Sequence, residues 1–272
     1  MSIYIEQKFI NGMSIEEYHS LAGFVSSSGL KELAKSPAHY KTYLESGNGK
    51  RTPSMEFGDA AHNYILQPAE FERRYAVMPS NIKVRRGKEY EAFQEANAGK
   101  TVLAQDDIEA LCGMADSLSR HTTASQLIRS DDGIAEMSCF FACPETGIHC
   151  RFRPDFLPGG DIIVDYKTTE NASASEFPKA CIKYGYDIQA ALYLYGMEIL
   201  TGVQHRFIFV AHEKKPPYEI GVYEASHAFI ESGKVKMHRL LSTLMNCRET
   251  GVWPGYPDEI QTLDLPSWAK AA

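Results

Sequence analysis

No run of apolar residues in this chain is long enough to span a bilayer. The amino-terminal MSIYIEQKFINGMSIEEYHS has neither the basic n-region nor the apolar h-region of a secretory signal. Positive charge is not in excess. Lys and Arg number 28 against 35 Asp and Glu, a formal net charge of −7, which argues against a uniformly basic, polyanion-binding surface. Segregated charge or a bound cation would still permit such a partner. Cysteines are few, six, and lack framework spacing, so reduced thiols in a cytoplasm are expected. There is no internal repeat or low-complexity tract, no nucleophile elbow, and GNGK at 47–50 is too short for a phosphate-binding loop. Spanning proteins, secreted disulfide scaffolds and P-loop enzymes are thereby set aside.

What is present is ordinary core material, 44% hydrophobic with 11% aromatic, in a 272-residue chain. One α/β domain is expected, with residues 1–130 mainly helical, 131–250 mixed sheet and helix, and 251–272 a tail. SSSGLKELAKSPAHY opens with capping serines and breaks at Ser36-Pro37, and SMEFGDAAHNYILQP gives a further helical window. DDIEALCGMADSLSRHTTASQLI, from Asp106, reads as one amphipathic helix with acids in its first turn. From Gly133 the pattern changes. IAEMSCFFAC, GIHCRFRPDFL and DIIVDYKTT read as three strands of one hairpin meander, separated by PETG and PGG. The helix YDIQAALYLYGMEILTG, strands HRFIFVAHE and YEIGVYEA, and a long helix from Ser226 follow.

Chemistry concentrates in CRFRPDFLPGGDIIVDYKTTE. The β-branched run Ile162-Ile163-Val164 suits a buried strand, yet it runs straight into Asp165 and Lys167. Residues two apart in a strand share a face, so Asp165 and Lys167 project together. A hairpin through Pro158-Gly159-Gly160 brings Asp155 alongside. Two carboxylates make a hard, oxygen-rich site suited to Mg²⁺, and an ammonium beside it can handle a water or a phosphate. The plainer alternative is an exposed same-face ion pair. In GDAAH, Gly58 and His62 share a helical face, where the imidazole can complete a divalent-metal site and the glycine permits close approach. Gln189 and Tyr193 are likewise four apart, with packing on the sheet as the alternative reading. NIKVRRGKEYE is the most basic stretch, and Arg85 and Arg86 there are candidates for a DNA-facing loop or a merely solvated one.

Together, Gly58-x-x-x-His62, Pro154-Asp155, Asp165-x-Lys167 and Gln189-x-x-x-Tyr193 resemble the RecB-type branch of the PD-(D/E)xK nuclease superfamily. CRFRPD, VDYKTT, QAALYLYG, SGLKELAKSPAHY, AGKTVLAQDDIE and WP…TLDLPSWAK are similar to the RecE (exodeoxyribonuclease VIII) nuclease-domain family over nearly the whole chain. That resemblance implies a restriction-endonuclease-like α/β core, with a mixed central sheet flanked by helices and an N-terminal helical elaboration. It implies a Mg²⁺-dependent exonuclease, Mn²⁺ being an alternative ion, that digests linear double-stranded DNA from 5′ ends and leaves 3′ tails for annealing-based recombination. It implies a ring-shaped homotetramer, a RecT-type single-strand annealing partner, and a phage or prophage protein in the bacterial cytoplasm. Carried over, His62, Asp155, Asp165 and the Tyr166 carbonyl are metal ligands, with Glu136 at the outer shell. Lys167 serves the attacking water, and Gln189 and Tyr193 support water, metal or phosphate. Ser26, Ser28, Arg151 and Arg153 are candidate phosphate contacts, the arginines being equally readable as structural. No zinc or iron–sulfur cluster is expected: Cys139, Cys143, His149 and Cys150 could in principle hold zinc, but Cys139 and Cys143 share a strand face where buried thiols pack, and Ser36 stands where cluster-bearing relatives place a cysteine. The alternatives are a related nuclease for single-stranded or flap DNA, and a nonenzymatic DNA-binding protein on a decayed fold.

Overall fold

The computed structural model describes residues 8–47, 52–82, 84–130 and 132–265. Lys83, most of GNGK, and the last residues of TLDLPSWAK lie outside them. Strand β1 (Lys8–Ile10) leads into α1 (Ile15–Ser20), which starts at a capping box in which Ser14 and Glu17 satisfy each other's backbone amides. Helices α2 (Ser27–Lys35) and α3 (Pro37–Glu45) are capped by Ser26 and Ser36, and Pro37 at the first position of α3 explains the break between them. Thr52 and Pro53 open α4 (Pro53–Leu66) in the same way. Then come α5 (Pro68–Arg74), β2 (Tyr75–Val77), α6 (Lys88–Ala96), β3 (Thr101–Leu103), α7 (Gln105–Arg120) and α8 (Thr122–Ile128). Strands β2 and β3 pair in parallel as a small sheet of their own.

The C-terminal half holds β4 (Ile134–Ala135), β5 (Ser138–Ala142), β6 (His149–Phe152), β7 (Phe156–Leu157) and β8 (Ile162–Thr169). Helices α9 (Phe177–Lys183) and α10 (Tyr186–Thr201) cross over to β9 (Arg206–Glu213). Strand β10 (Ile220–Glu224) and α11 (His227–Thr250) complete it. The crossover makes β8 and β9 parallel over eight residues, at the centre of a sheet ordered β10-β9-β8-β7-β4. Both faces of that sheet are covered. Ile163, Phe207, Phe209 and Ala211 face the core under α10 and α11, whereas Val164, Tyr166 and Val210 face the core with α4 and α7. This two-sided burial is why β8 reads as a continuous apolar run.

The expected meander is corrected. Its first run is not one strand: it breaks at Glu136, whose φ of 54° is left-handed, and its two halves enter different sheets. Strands β5 and β6 form a hairpin that pairs with β1, while β4 joins β7. A non-glycine residue held at positive φ costs about 1 kcal/mol or more, so packing on both sides must over-determine it. Helix α10 lies close on the β5–β6 hairpin because residue 196 is glycine. A Cβ there would stand 2.4 Å from the Phe152 ring.

Candidate active site

The site is built on an open edge of a buried strand. On one side β8 is paired to β9 from Ile162 to Thr169. On the other, two-residue β7 reaches it only through Phe156 opposite Val164. Beyond that point a side chain takes the place of a strand: the Tyr166 amide donates to Asp155 Oδ2 at 2.7 Å. The Pro158-Gly159-Gly160 hairpin thus sets Asp155 beside Asp165.

Under α10, Asp165 is fully buried and its Oδ1 accepts from Gln189 Nε2 at 2.7 Å. Lys167 Nζ stands 2.5 Å from Asp165 Oδ2. The Lys167 ammonium is thus the charge partner of Oδ2. Tyr193 Oη is 3.4 Å from Gln189 Nε2. Two further residues belong here that the sequence did not single out. Lys31 of α2 donates to Gln189 Oε1 at 3.1 Å, and Lys31 and Lys167 both lie over the Tyr186 ring, at 5.1 and 5.0 Å. Their sequence signal was weak, because a lysine after Leu30 on a short helix reads as a solvated charge.

On the α4 face, His62 meets the Tyr166 ring edge-on at 5.2 Å, and its Nδ1 is 3.7 Å from Asp155 Oδ1. Gly58 lets α4 lie this close, since a Cβ would stand 3.3 Å from Thr168 Oγ1. The turn at Glu136 brings a third donor, its Oε2 accepting from Arg153 Nε at 2.7 Å. Ligand atoms of His62, Glu136 and Asp155 all lie within 4.8 Å of one another. Asp165 is not one of these three; its two oxygens face Gln189 Nε2 and Lys167 Nζ. Below the ring, Tyr166 Oη bonds His212 Nδ1 at 2.8 Å, a buried pair with no sequence signature.

Burial dominates the electrostatics. It raises Asp155 to about 6 against the pull of Lys167, and Asp165 to about 6. Glu136 rises to about 8 through burial and the neighbouring Asp155, although Arg153 opposes this. Burial, with Lys167 nearby, lowers His62 to about 4, so the imidazole is neutral and its lone pair available. Burial also works against the Lys167 charge, but Asp165 and Asp155 outweigh it and hold the ammonium above its ordinary range.

These residues fit a divalent cation. A neutral imidazole and two carboxylates converge in a buried space, and burial pushes both carboxyl groups toward protonation, a cost that a bound cation would offset. Tyr166 packs its ring edge-on against His62, and its backbone adjoins the same space.

The phosphate-contact candidates separate. Ser26, Ser28, Arg151 and Arg153 line a cleft of about 170 Å³ together with Glu136 and Tyr193. Arg151 is tied to the Tyr18 and Leu21 carbonyls and lies over the Tyr18 ring, which anchors α1. Arg85 is exposed and donates to the Val102 carbonyl of β3, and Arg86 beside it is exposed. Neither touches the site.

A family model described as a PDDEXK-like domain of unknown function, DUF3799, matches residues 26–266. The chain belongs to this PDDEXK-like family. Its fold is similar to that of a candidate exonuclease from Eubacterium rectale, at 14% identity, covering 93% of this chain and 95% of that one, with a TM-score of 0.62. LHK-Exo in complex with dAMP matches at 14% identity over 88% of this chain and 98% of that one, and SSO0001 at 14% over 86% and 88%. Their TM-scores are 0.37 and 0.33. No curated protein sequence matches this PDDEXK-like chain.

Proposed function

We propose that the protein is a Mg²⁺-dependent exonuclease that digests linear duplex DNA from 5′ ends and leaves 3′ single-stranded tails. One observation carries the reading: an ammonium, Lys167, shares the open edge of β8 with the donor trio His62, Glu136 and Asp155. That pairing of an oxygen-rich cation site with a fixed amine suits phosphodiester hydrolysis. The family match and the E. rectale exonuclease description support nuclease chemistry, and the RecE-type resemblance of the motifs supports duplex substrate and polarity.

Bound Mg²⁺ would supply Lewis-acid polarisation of the scissile phosphate. Glu136, Asp155 and His62 would hold it with Asp165 beside them, and loading would displace the proton that burial keeps on Glu136. Lys167 stays protonated beside Asp165, so it orients the attacking water and donates to the phosphate instead of acting as a free base. Gln189 holds the Asp165 carboxylate, which fixes the Lys167 ammonium. Ser26, Ser28 and Arg153, along the adjoining cleft, receive the strand's phosphates.

The test is a time course on linear duplex DNA with 5′-phosphate ends, in Mg²⁺ or EDTA, beside a covalently closed circle. Mg²⁺-dependent loss of the 5′ strand with the circle intact is expected. Cutting of the circle would make the protein an endonuclease, and no cutting in either condition would remove the enzymatic reading.

A further inference from the structure

We infer that Lys31 is a positioning residue of this site, one that sets which way round the Gln189 carboxamide lies and so holds Asp165 in place for Lys167. The inference rests on the nuclease reading for its kinetic consequence, and on hydrogen-bond chemistry for its physical content.

Gln189 stands between a group that only donates and a group that only accepts. The Lys31 ammonium is 3.1 Å from its Oε1, and the Asp165 carboxylate is 2.7 Å from its Nε2. An ammonium has no lone pair and an ionised carboxylate no proton, so only one of the two amide orientations satisfies both neighbours. Reversed, the amide would turn its oxygen on Asp165 and its NH₂ on Lys31, two repulsive contacts in a buried place. The Lys31 ammonium is itself held against the Tyr186 ring, which the Lys167 ammonium also covers. A continuous line of contacts therefore runs Lys31, Gln189, Asp165, Lys167. Its first member comes from α2, far from the catalytic strand in sequence. Burial, with Lys167 nearby, lowers Lys31 to about 8, which agrees with an amine enclosed in the site.

The test is a double-mutant cycle of Lys31→Met, Gln189→Met and the pair, with Lys31→Arg as rescue, read as kcat and KM on linear duplex DNA and as melting temperature of the metal-free protein. Lys31→Met should lower kcat about tenfold, the scale of one lost charged hydrogen bond, with KM within about twofold. Lys31→Arg, which still donates, should recover most of the loss. In the Gln189→Met background Lys31→Met should have no further effect on kcat, and its effect on melting should shrink. Multiplying losses, or a loss confined to KM, would overturn the inference, the latter pointing to direct contact of Lys31 with DNA. If the wild type cuts nothing, the nuclease reading fails on its own. Additive melting shifts would then still refute the Lys31–Gln189 coupling, and non-additive ones uphold it.

Discussion

Two regions of this molecule collect side chains that bind metals, and they differ in what surrounds them. On the β5–β6 hairpin, Cys139, Cys143 and Cys150 are buried within the larger core cluster, among Phe141, Phe152 and the α10 side chains. Burial pushes the Cys139 and Cys150 thiols up, holding them protonated, and His149 is exposed, its ring against Phe24. At the β8 edge, His62, Glu136 and Asp155 aim their donor atoms at one another across less than 4.8 Å. Nearness in sequence does not by itself make ligand-type side chains converge on one space; at the β8 edge the fold does.

The sharpest way to break this contrast is to remove one member from each side. Lys167→Ala and Asp155→Asn should each lower cleavage of linear duplex DNA by roughly a thousandfold or more, measured in single-turnover assays. Cys150→Ala should lower the melting temperature yet leave cleavage per folded molecule within about twofold. Were Cys150→Ala as inert as Lys167→Ala, the hairpin would have to be counted as part of the functional centre.

A smaller effect is expected from loading the site. At a hundred times Kd, Mg²⁺ or Mn²⁺ should stabilise the fold by about 2.7 kcal/mol. Asp155→Asn should lose that gain and Cys139→Ala keep it. Calorimetric melts with and without the ion decide the point.

The pH dependence of loading sharpens the comparison further. Glu136, raised to about 8, and Asp155, raised to about 6, must both lose protons when a cation binds. Affinity should fall about tenfold per pH unit from pH 8 to 6, and more steeply below. His62, neutral down to about 4, adds nothing in that window. The sign for the metal-free fold is set by Glu136, whose folded value lies above its unfolded one. Its contribution is present at lower pH and lost as pH rises through about 8, so between pH 6.5 and 8.5 the melting temperature should decline. An isothermal titration series in that range, with melts alongside, tests both. A flat affinity profile would remove Glu136 from the ligand set.

The smallest effect concerns support beneath the site. Tyr166→Phe deletes the hydrogen bond to buried His212 and should cost about 1 kcal/mol of stability. Cleavage should barely change, because the Tyr166 amide that bonds Asp155 is untouched.

Much of this was legible from residue order. The capping serines and the Ser36-Pro37 break marked where α2 and α3 begin, and the apolar triplet followed by Asp165 and Lys167 marked the central strand and the charged pair on its face. Local spacing is enough for such features, since they depend on periodicities of two and 3.6 residues. The break at Glu136 was not legible. IAEMSCFFAC has unbroken strand character, and only the competing demands of two sheets force the left-handed turn that aims the Glu136 carboxylate at His62 and Asp155.

The sequence by itself determined which chemistry is available here: carboxylates, an amine and an imidazole at spacings that put them on particular faces of particular elements. The tertiary structure alone decided their assignment. It set Asp165 between Gln189 and Lys167, turned the Glu136 carboxylate toward His62 and Asp155, and delivered Lys31 from α2 to the Gln189 amide. The physical reason is the buried, one-sided edge of β8. There, desolvation makes every unpaired charge costly, so which groups pair depends on distances across the fold that no local pattern carries.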